Sequence, residues 1–242
     1  MLWMFGRFLE IGLTTSDIAA SVQFYERLGF SQLMTADSWS HRYGVLSDGR
    51  LHLGLHEHDR PTPSVTFVLP DLLHSLRPLR DAHIEPEHTS FGEDSLHQAL
   101  LTDPSGNPVT LLEARTYSPA PPADTAQSLC GYFSHLSLPE SDFDAARNFW
   151  ERGGFVALPE EDEPFPHLPL TSDHLDLAFH QRRTFDGPLL VFECADAAAT
   201  MRRLRALNIA LSAQLPRGAD RARSGLIESQ HGPALLLIQA ND

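Results

Sequence analysis

The stretch Phe133–Phe155, with the sequence FSHLSLPESDFDAARNFWERGGF, decides the fold because an earlier stretch nearly repeats it. That earlier stretch, Phe8–Phe30, reads FLEIGLTTSDIAASVQFYERLGF. Asp17 corresponds to Asp142, an offset of 125 positions (142 − 17), and the glycine before the final phenylalanine keeps the same offset. A constant offset indicates an internal repeat, which has to be identified before any element is assigned.

The first copy predicts a strand followed by a helix. Phe8–Leu13 is short and rich in apolar residues, with Leu9, Ile11 and Leu13 on one face of the predicted strand and Phe8, Glu10 and Gly12 on the other. Asp17 offers a side-chain oxygen to the open amides of a helix start, and Gly29 can supply the left-handed turn that ends the helix. Three further strands are predicted after this helix, around residues 30–35, 40–47 and 51–56.

The same pattern of a strand followed by a helix starts again in the middle of each half of the chain. Ser64–Leu69 is a predicted strand, Asp71 opens a second helix, and a turn at Asp103–Gly106 joins two later strands. In the second half, Asp196 again follows its counterpart Asp71 by 125 positions (196 − 71). The sequence therefore predicts four units in two modules: residues 7–115, a linker of residues 116–128 rich in Pro, Ala and Ser, and residues 129–240.

Composition excludes several kinds of partner. The chain has 242 residues, of which 18 are Lys or Arg and 32 are Asp or Glu, for a formal charge of −14. An acidic protein is not attracted to nucleic acid or to an anionic membrane, so neither is expected as a partner. No apolar run approaches the ~18 residues of a membrane span. Cys130 and Cys194 lack the spacing of a disulfide framework, and we expect a reduced, cytoplasmic protein.

The repeated block S-D-x-x-x-(S/A)-x-x-F-(Y/W)-E-R-x-G-F, at Ser16–Phe30 and Ser141–Phe155, resembles the vicinal oxygen chelate superfamily. This superfamily includes glyoxalase I, extradiol ring-cleaving dioxygenases, fosfomycin-modifying enzymes and bleomycin-resistance proteins. The resemblance implies an α+β fold of four βαβββ units, paired into two glyoxalase-like modules whose curled, mixed sheets form a cup around a small molecule. It does not select a reaction, because lyases, oxygenases, transferases and metal-free binders share this scaffold.

The resemblance also implies where metal ligands would lie. Enzymes of this family hold a divalent metal (Fe, Mn, Ni or Zn) with histidine and glutamate side chains. The first-strand positions are occupied here by Glu10 and His135, which can bind a metal. The other family positions carry Ser64, about Leu189, Thr110 and Leu236, which are poor ligands or none. The usual ligand set is therefore incomplete, and no cofactor is certain.

Strand alternation leaves two displaced clusters possible. His52 and His56 share a strand face, as do Asp176 and His180. One hypothesis therefore places a metal near Glu10, His52 and His56, or near His135, His180 and Asp176. The other hypothesis is that these polar side chains line a wet cup without a metal. Within the second cluster, His135 and His180 are the candidate metal ligands.

The remaining candidates concern a ligand pocket. Trp39 could line the cup as an aromatic wall, and Glu193 could point into it. The acidic, proline-rich segment Pro159–Pro169 is predicted to be a loop. The remaining histidines are predicted to lie mostly at the surface: His41, His58, His74, His83, His88, His97, His167, His174 and His231.

Three functional hypotheses follow. The first is a glyoxalase-like or bleomycin-resistance-like protein that binds a small, cationic or aromatic organic molecule without a metal. The second is a metal-dependent lyase or ring-cleaving oxygenase with a displaced His/carboxylate site. The third is a degenerate module kept for contacts with another protein. A small-molecule ligand is expected in the first two, and both a monomer and a homodimer remain open.

Overall fold

The computed structural model describes residues 4–34, 39, 41–58, 61–92, 96–115 and 128–240. The first half contains β1 (Arg7–Thr14), α1 (Ile18–Arg27), β2 (Ser31–Leu33), β3 (Tyr43–Ser47), β4 (His52–His56), β5 (Ser64–Leu69), α2 (Leu72–Asp81), β6 (His88–Ser90), β7 (Gln98–Thr102) and β8 (Pro108–Glu113). The second half contains β9 (Tyr132–Glu140), α3 (Phe143–Gly153), β10 (Val156–Ala157), β11 (His167–Thr171), β12 (Leu177–Gln181), β13 (Leu189–Cys194), α4 (Ala197–Ala206), β14 (Ser224–Ile227) and β15 (Ala234–Gln239).

Each of these four helices begins in the same way. An aspartate at the N-cap position accepts a hydrogen bond from the backbone amide three residues further on, which satisfies one of the open donors of the first turn. The four capping residues are Asp17, Asp71, Asp142 and Asp196. The repeated aspartate in the sequence therefore marks the helix starts, as predicted.

Two mixed sheets carry the fold, and neither closes into a barrel. The N-terminal sheet has the strand order β2-β3-β4-β1-β5-β8-β7-β6, and the C-terminal sheet has the order β10-β11-β12-β9-β13-β15-β14. In the first sheet β1 runs parallel to β4 and antiparallel to β5. In the second sheet β9 runs parallel to β12 and antiparallel to β13. Units therefore pair with their sequence neighbours, and the predicted α+β fold with two cup-forming modules is confirmed.

One predicted loop contains strand residues, and the predicted linker cannot be compared with the structure. The segment Pro159–Pro169, predicted as a loop, contains a bridge between Glu161 and His167 and the first residues of β11. Pro169 lies in β11 opposite Ala178, so a proline does not prevent strand pairing where its missing amide is not needed. The predicted linker, residues 116–128, lies outside the described residues except for Ser128, so the module boundaries stay a prediction.

The main core lies between the helices and the convex faces of both sheets. It includes Leu53 and Phe67 from the first sheet and Phe192 and Leu237 from the second, all almost fully buried. Phe5 joins the two halves, since its ring lies 5.6 Å from Phe67 and 5.8 Å from Trp150 between ring centres. Burial of these apolar side chains supplies the main driving force for folding.

Among the described residues, no helix has both the length and the apolar character needed to cross a membrane.

Candidate functional site

Two glycines clear space on the concave face of the N-terminal sheet. Gly12 and Gly54 are partners in the parallel pairing of β1 with β4. A Cβ atom added to Gly54 would lie 2.4 Å from the Glu10 carboxyl group, and one added to Gly12 would lie 2.5 Å from the Ser64 hydroxyl oxygen. The absence of a side chain at Gly54 therefore leaves room for the Glu10 carboxyl group, and its absence at Gly12 leaves room for the Ser64 hydroxyl.

Glu10 and His56 form a buried hydrogen-bonded pair. The His56 Nε2 and Glu10 Oε1 atoms are 2.9 Å apart, and the side chains are 5% and 1% exposed. The Tyr43 hydroxyl donates to the other carboxylate oxygen of Glu10. An ionised carboxylate only accepts hydrogen bonds, so His56 carries a proton on Nε2. Both oxygens of Glu10 are thus occupied, and the ring of His56 is held in a fixed orientation.

Two further histidines, His41 and His58, lie on the side of the His56 ring that faces away from Glu10. One ring nitrogen each from His41, His56 and His58 lies within 4.8 Å of the others, an arrangement that could hold a metal ion. The His41 Nε2 and His56 Nδ1 atoms are 2.9 Å apart. The ring of His58 stacks on that of His56 with 5.3 Å between centres, and its Nδ1 lies 3.4 Å from the Thr14 hydroxyl.

The hairpin of β3 and β4 brings the three histidines together. Tyr43 lies opposite His56, and the amide of Glu57 donates to the carbonyl of Arg42 just beyond the strand ends. Carried two residues beyond the pair of Tyr43 and His56, the same register places His41 opposite His58. Side chains two residues apart on a strand share a face, so these two histidines lie on the face that carries His56.

The prediction that His41 and His58 are surface residues is wrong. Both are half-buried and belong to this cluster. The sequence does contain a signal for this cluster: His41 and Tyr43, and likewise His56 and His58, are two positions apart at the ends of two strands joined by a turn. That signal requires the hairpin register, which the sequence pattern alone did not supply.

The cluster borders a cavity of about 190 Å³, the N-terminal cavity. Trp39, His56 and His58 line one side, and the Trp39 ring meets the His56 ring edge-on with 5.0 Å between centres. The opposite side carries hydroxyl groups and aliphatic carbons, from Ser64, Thr66, Leu100, Val109 and Thr110. The predicted pocket residue Trp39 thus lies at this cavity, while Glu10 is buried beneath His56. His52 lines neither this cavity nor the one in the C-terminal sheet.

The family ligand positions of the N-terminal sheet do not fit a metal here. Ser64 and Thr110 line the cavity, but neutral hydroxyl groups are weak ligands for the metals that these enzymes use. Glu10 has both oxygens committed to His56 and Tyr43. Any metal in this half would therefore lie at the three histidines rather than at the usual place.

A larger cavity of about 520 Å³, the C-terminal cavity, opens beside the C-terminal sheet. Its charged wall is strongly acidic, with six carboxylates and one guanidinium: Glu161, Asp162, Glu163, Asp176, Glu193, Asp220 and Arg223. Among other lining residues are Leu158, Pro164, Leu177 and Ile238. The cavity therefore combines apolar surface with a concentration of negative charge.

Two parallel imidazoles form part of this wall. The rings of His135 and His167 lie 6.0 Å apart between centres, with an angle of 7° between their planes. His167 is buried and not a surface residue as predicted, and its Nδ1 donates to the Phe165 carbonyl at 2.9 Å. Burial, and then the neighbouring His167 and His180 rings, lower the pKa of His135 to about 3. His135 is thus neutral near pH 7.

The predicted residues of this half separate into two groups. Asp176 and Glu193 line the C-terminal cavity with His135. The Thr171 hydroxyl donates to Asp176 at 2.6 Å, and the Ser134 hydroxyl donates to Glu193 at 2.9 Å. These side chains are held at the cavity wall by neighbouring strands, as a ligand pocket requires.

His180, in contrast, is not placed to bind a metal with His135. Its Nδ1 lies 2.7 Å from the Ser137 hydroxyl, and its Nε2 lies 3.1 Å from the Phe185 carbonyl. An imidazole with both nitrogens bonded in this way has no lone pair left for a metal ion. The structure therefore corrects the hypothesis that His135, His180 and Asp176 form a metal site.

The family ligand positions of the C-terminal sheet are apolar. Leu189 and Leu236 are fully buried, and they pack in one cluster with Phe165, Val191 and Leu226. Phe165 comes from the acidic, proline-rich segment, which folds over the concave face of the sheet. Aliphatic and aromatic side chains offer no ligand atoms, so this half does not fit a metal at the usual place.

Three solved enzyme structures have a similar arrangement of elements. A catechol 2,3-dioxygenase is 18% identical, with a TM-score of 0.60 over 99% of this chain and 89% of that chain. The 2,3-dioxygenase LapB from Pseudomonas sp. KL28 is 15% identical, with a TM-score of 0.61 over 99% of this chain and 94% of that one. The Mn(II)-bound glyoxalase from Novosphingobium aromaticivorans is 12% identical, with a TM-score of 0.60 over 97% of this chain and 82% of that one.

No protein-family model matches the chain, and no curated protein matches it by sequence. At these identities the structural similarity establishes the fold, while residues at the site can differ completely between proteins of one fold.

Proposed function

The chain has the vicinal oxygen chelate fold, and on that premise we propose that it binds a small organic cation in the C-terminal cavity. The observation that carries this proposal is the charge of the cavity wall, where six carboxylates accompany a single guanidinium. Concave sites lined by charge of one sign concentrate ligands of the opposite sign.

The shape of the cavity supports an organic ligand rather than a bare ion. A volume of about 520 Å³ lies in the range of ordinary small-molecule sites, which is roughly 300–1,000 Å³. Leu158, Pro164 and Leu177 supply apolar surface next to the carboxylates. A ligand with a hydrocarbon or aromatic body and a cationic group would use both kinds of wall.

The neutral His135 ring fits the same proposal. Since its pKa is lowered to about 3, it adds no positive charge that would repel a cation near pH 7. Together with the parallel ring of His167, it offers a flat surface of aromatic atoms. Flat surfaces of this kind hold flat organic groups by stacking.

The proposal is tested with three probes that differ only in charge: 1-naphthylmethylamine, 1-naphthalenemethanol and 1-naphthoate. Isothermal titration calorimetry of the full chain at pH 7 should give the tightest binding for the amine and the weakest for the carboxylate. Raising the salt concentration should weaken amine binding, because exposed charges are screened. Equal affinity for all three probes would contradict the proposal.

Charge variants locate the effect. Glu193→Gln removes one negative charge from the wall and should weaken amine binding several-fold while leaving the alcohol unaffected. The matched control, Glu26→Gln, removes a charge from the exposed face of α1, and it should change neither affinity. If the control weakens the amine as much as a wall variant, net charge alone explains the binding.

A second candidate function is favoured by a different observation, the three-histidine cluster at the N-terminal cavity. In this proposal His41, His56 and His58 would hold a divalent metal, Fe, Mn, Ni or Zn, which would supply Lewis-acid chemistry for a lyase or oxygenase reaction. The test is turnover of enol, diol and thiohemiacetal substrates by chain loaded with each metal. Absence of turnover with every loaded metal would reject this candidate.

We also propose that the protein is cytoplasmic. The supporting observation is that Cys130 and Cys194 are both buried free thiols, which suits a reducing compartment.

A further inference from the structure

We infer that His41, His56 and His58 form a binding site for a divalent transition metal, and that Glu10 orients His56 without itself touching the ion. This site differs from the places where the fold family holds its metal, which carry Glu10, Ser64 and Thr110 in this half. The inference goes beyond ligand binding in the C-terminal cavity and does not depend on it, whereas the metal-dependent candidate function depends on this inference.

The first support is the direction of the lone pairs. Because Glu10 Oε1 accepts the hydrogen on His56 Nε2, the nitrogen through which His56 would bind an ion is Nδ1. That nitrogen lies 2.9 Å from His41 Nε2. Two imidazole nitrogens therefore converge on one point, and an ion at that point would replace the hydrogen that now lies between them.

The second support is the spacing of the three rings. A tetrahedral zinc ion with Zn–N bonds of about 2.0 Å holds its nitrogen ligands about 3.3 Å apart. The three ligand nitrogens already lie within 4.8 Å of one another. Closing the set around an ion requires small rotations of His41 and His58, which are half-buried and lie just outside the strand ends.

The third support is the buried carboxylate. Histidine ligands commonly donate their second N–H to a carboxylate, which fixes the tautomer and increases the basicity of the ligand. Glu10 occupies that position at 2.9 Å, and the Tyr43 hydroxyl holds its other oxygen. Glu10 is 1% exposed, and its hydrogen bonds to His56 and Tyr43 offset the cost of burying the carboxylate in the position that orients His56.

The donor set decides the class of metal. Three imidazoles favour zinc, nickel, copper or iron, whereas magnesium and calcium prefer oxygen ligands. Three protein ligands leave a coordination position open, as in catalytic rather than structural zinc sites. His56 and His58 also line the N-terminal cavity, so that open position would face the space where a small molecule fits.

The test uses the full chain after treatment with a chelator. Isothermal titration calorimetry with Zn²⁺ should give one site per chain, and Co²⁺ should give the visible absorption of a nitrogen-ligated ion. His56→Ala should weaken Zn²⁺ binding at least 100-fold and abolish the Co²⁺ spectrum. His52→Ala, on the same strand face but outside the cavity, is the matched control and should bind like the parent chain.

Two further variants keep the test decisive. If His56→Ala does not fold, His58→Ala removes a half-buried ligand next to the strand and should give the same loss. Glu10→Gln preserves the shape of Glu10 and one of its two acceptor oxygens but removes its charge, and it should weaken Zn²⁺ binding about 10- to 100-fold. The conservative change separates an electrostatic role in metal binding from simple packing, because circular dichroism should show an unchanged fold.

Specific outcomes would overturn the inference. They are a folded parent chain that binds no Zn²⁺, or His56→Ala and His58→Ala variants that retain parental affinity and the Co²⁺ spectrum. The second result would mean that the ion binds at other histidines among the 13 of the chain. Enzymatic turnover is not the readout, so a metal-binding chain without activity rejects only the second candidate function.

Discussion

The indole of Trp150 in α3 donates a hydrogen bond to the buried carboxylate of Asp103, in the turn between β7 and β8, at 3.3 Å. This bond joins the two halves of the chain, since α3 belongs to the second repeat and the turn to the first. Asp103 also accepts hydrogen bonds from the amides of Ser105 and Asn107, so one carboxylate stabilises both its own turn and the contact between halves.

Replacement of Trp150 should therefore destabilise the whole chain. Trp150→Phe removes the indole donor and part of a fully buried ring that also packs on Phe5 and Phe155. We expect the free energy of unfolding to fall by roughly 2–4 kcal/mol, measured by urea denaturation. Leu207→Ala is the control, because Leu207 is 48% exposed, and it should cost far less. A Trp150→Phe variant as stable as the control would contradict this account.

Gly54 should tolerate no side chain. In Gly54→Ala the new Cβ would lie 2.4 Å from the carboxyl group of Glu10, which is held in place by His56 and Tyr43. We expect a loss of roughly 1–3 kcal/mol of stability, together with weaker Zn²⁺ binding. The measurements are thermal unfolding and calorimetric titration.

Gly44→Ala is the matched control for that variant. Gly44 lies on the neighbouring strand β3, where a new Cβ would meet Ile18 Cγ2 at an ordinary contact distance of 3.6 Å. It should keep both the stability and the Zn²⁺ affinity of the parent chain. Equal effects of the two substitutions would show that the Glu10 contact is unimportant.

Stability should fall on acidification because of buried histidines. Burial lowers the pKa of His180 from 6.5 to about 4. Between these two pH values the unfolded chain therefore binds a proton at His180 that the folded chain does not bind. The contribution is fully present above pH 6.5 and is lost as the pH falls toward 4. Since one pKa unit corresponds to about 1.4 kcal/mol, titration of His180 costs the fold roughly 3 kcal/mol.

Urea unfolding at pH 7 and pH 4.5 measures this effect. His180→Asn should be less stable at pH 7, because it loses the ring, but its stability should depend less on pH. Replacing the exposed His74 by Asn should leave the pH dependence unchanged. An unchanged pH dependence in His180→Asn would show that other groups cause the acid sensitivity.

The two cysteines should be unreactive in the native protein. Burial raises the pKa of Cys130 and of Cys194, so little reactive thiolate is present near pH 7, and both side chains are shielded from solvent. A thiol reagent such as 5,5′-dithiobis(2-nitrobenzoate) should modify them slowly in buffer and rapidly in concentrated urea. Fast modification of the native chain would contradict the burial of these residues.

Much of the fold could be predicted from the sequence because its signals are local. The aspartate caps, the glycine at position 29 and the alternation in the strands act over a few residues, and the repeat supplied a second independent copy of each signal. The bounds of β5, Ser64–Leu69, agree with the prediction for this reason. Short edge strands such as β6 and β10 were missed, because two or three residues carry too little pattern.

The sites depended on relationships that no local pattern contains. The sequence alone determined the repeat, the cup-forming fold and the fact that the family ligand positions carry Ser64, Thr110 and Leu236. Only the tertiary structure decided that His41 and His58 join His56, because the hairpin register brings together residues 17 positions apart (58 − 41). The tertiary structure also decided that the His180 ring forms hydrogen bonds with the Ser137 hydroxyl and the Phe185 carbonyl. A buried imidazole needs hydrogen-bond partners, and only the folded chain determines which polar groups surround it.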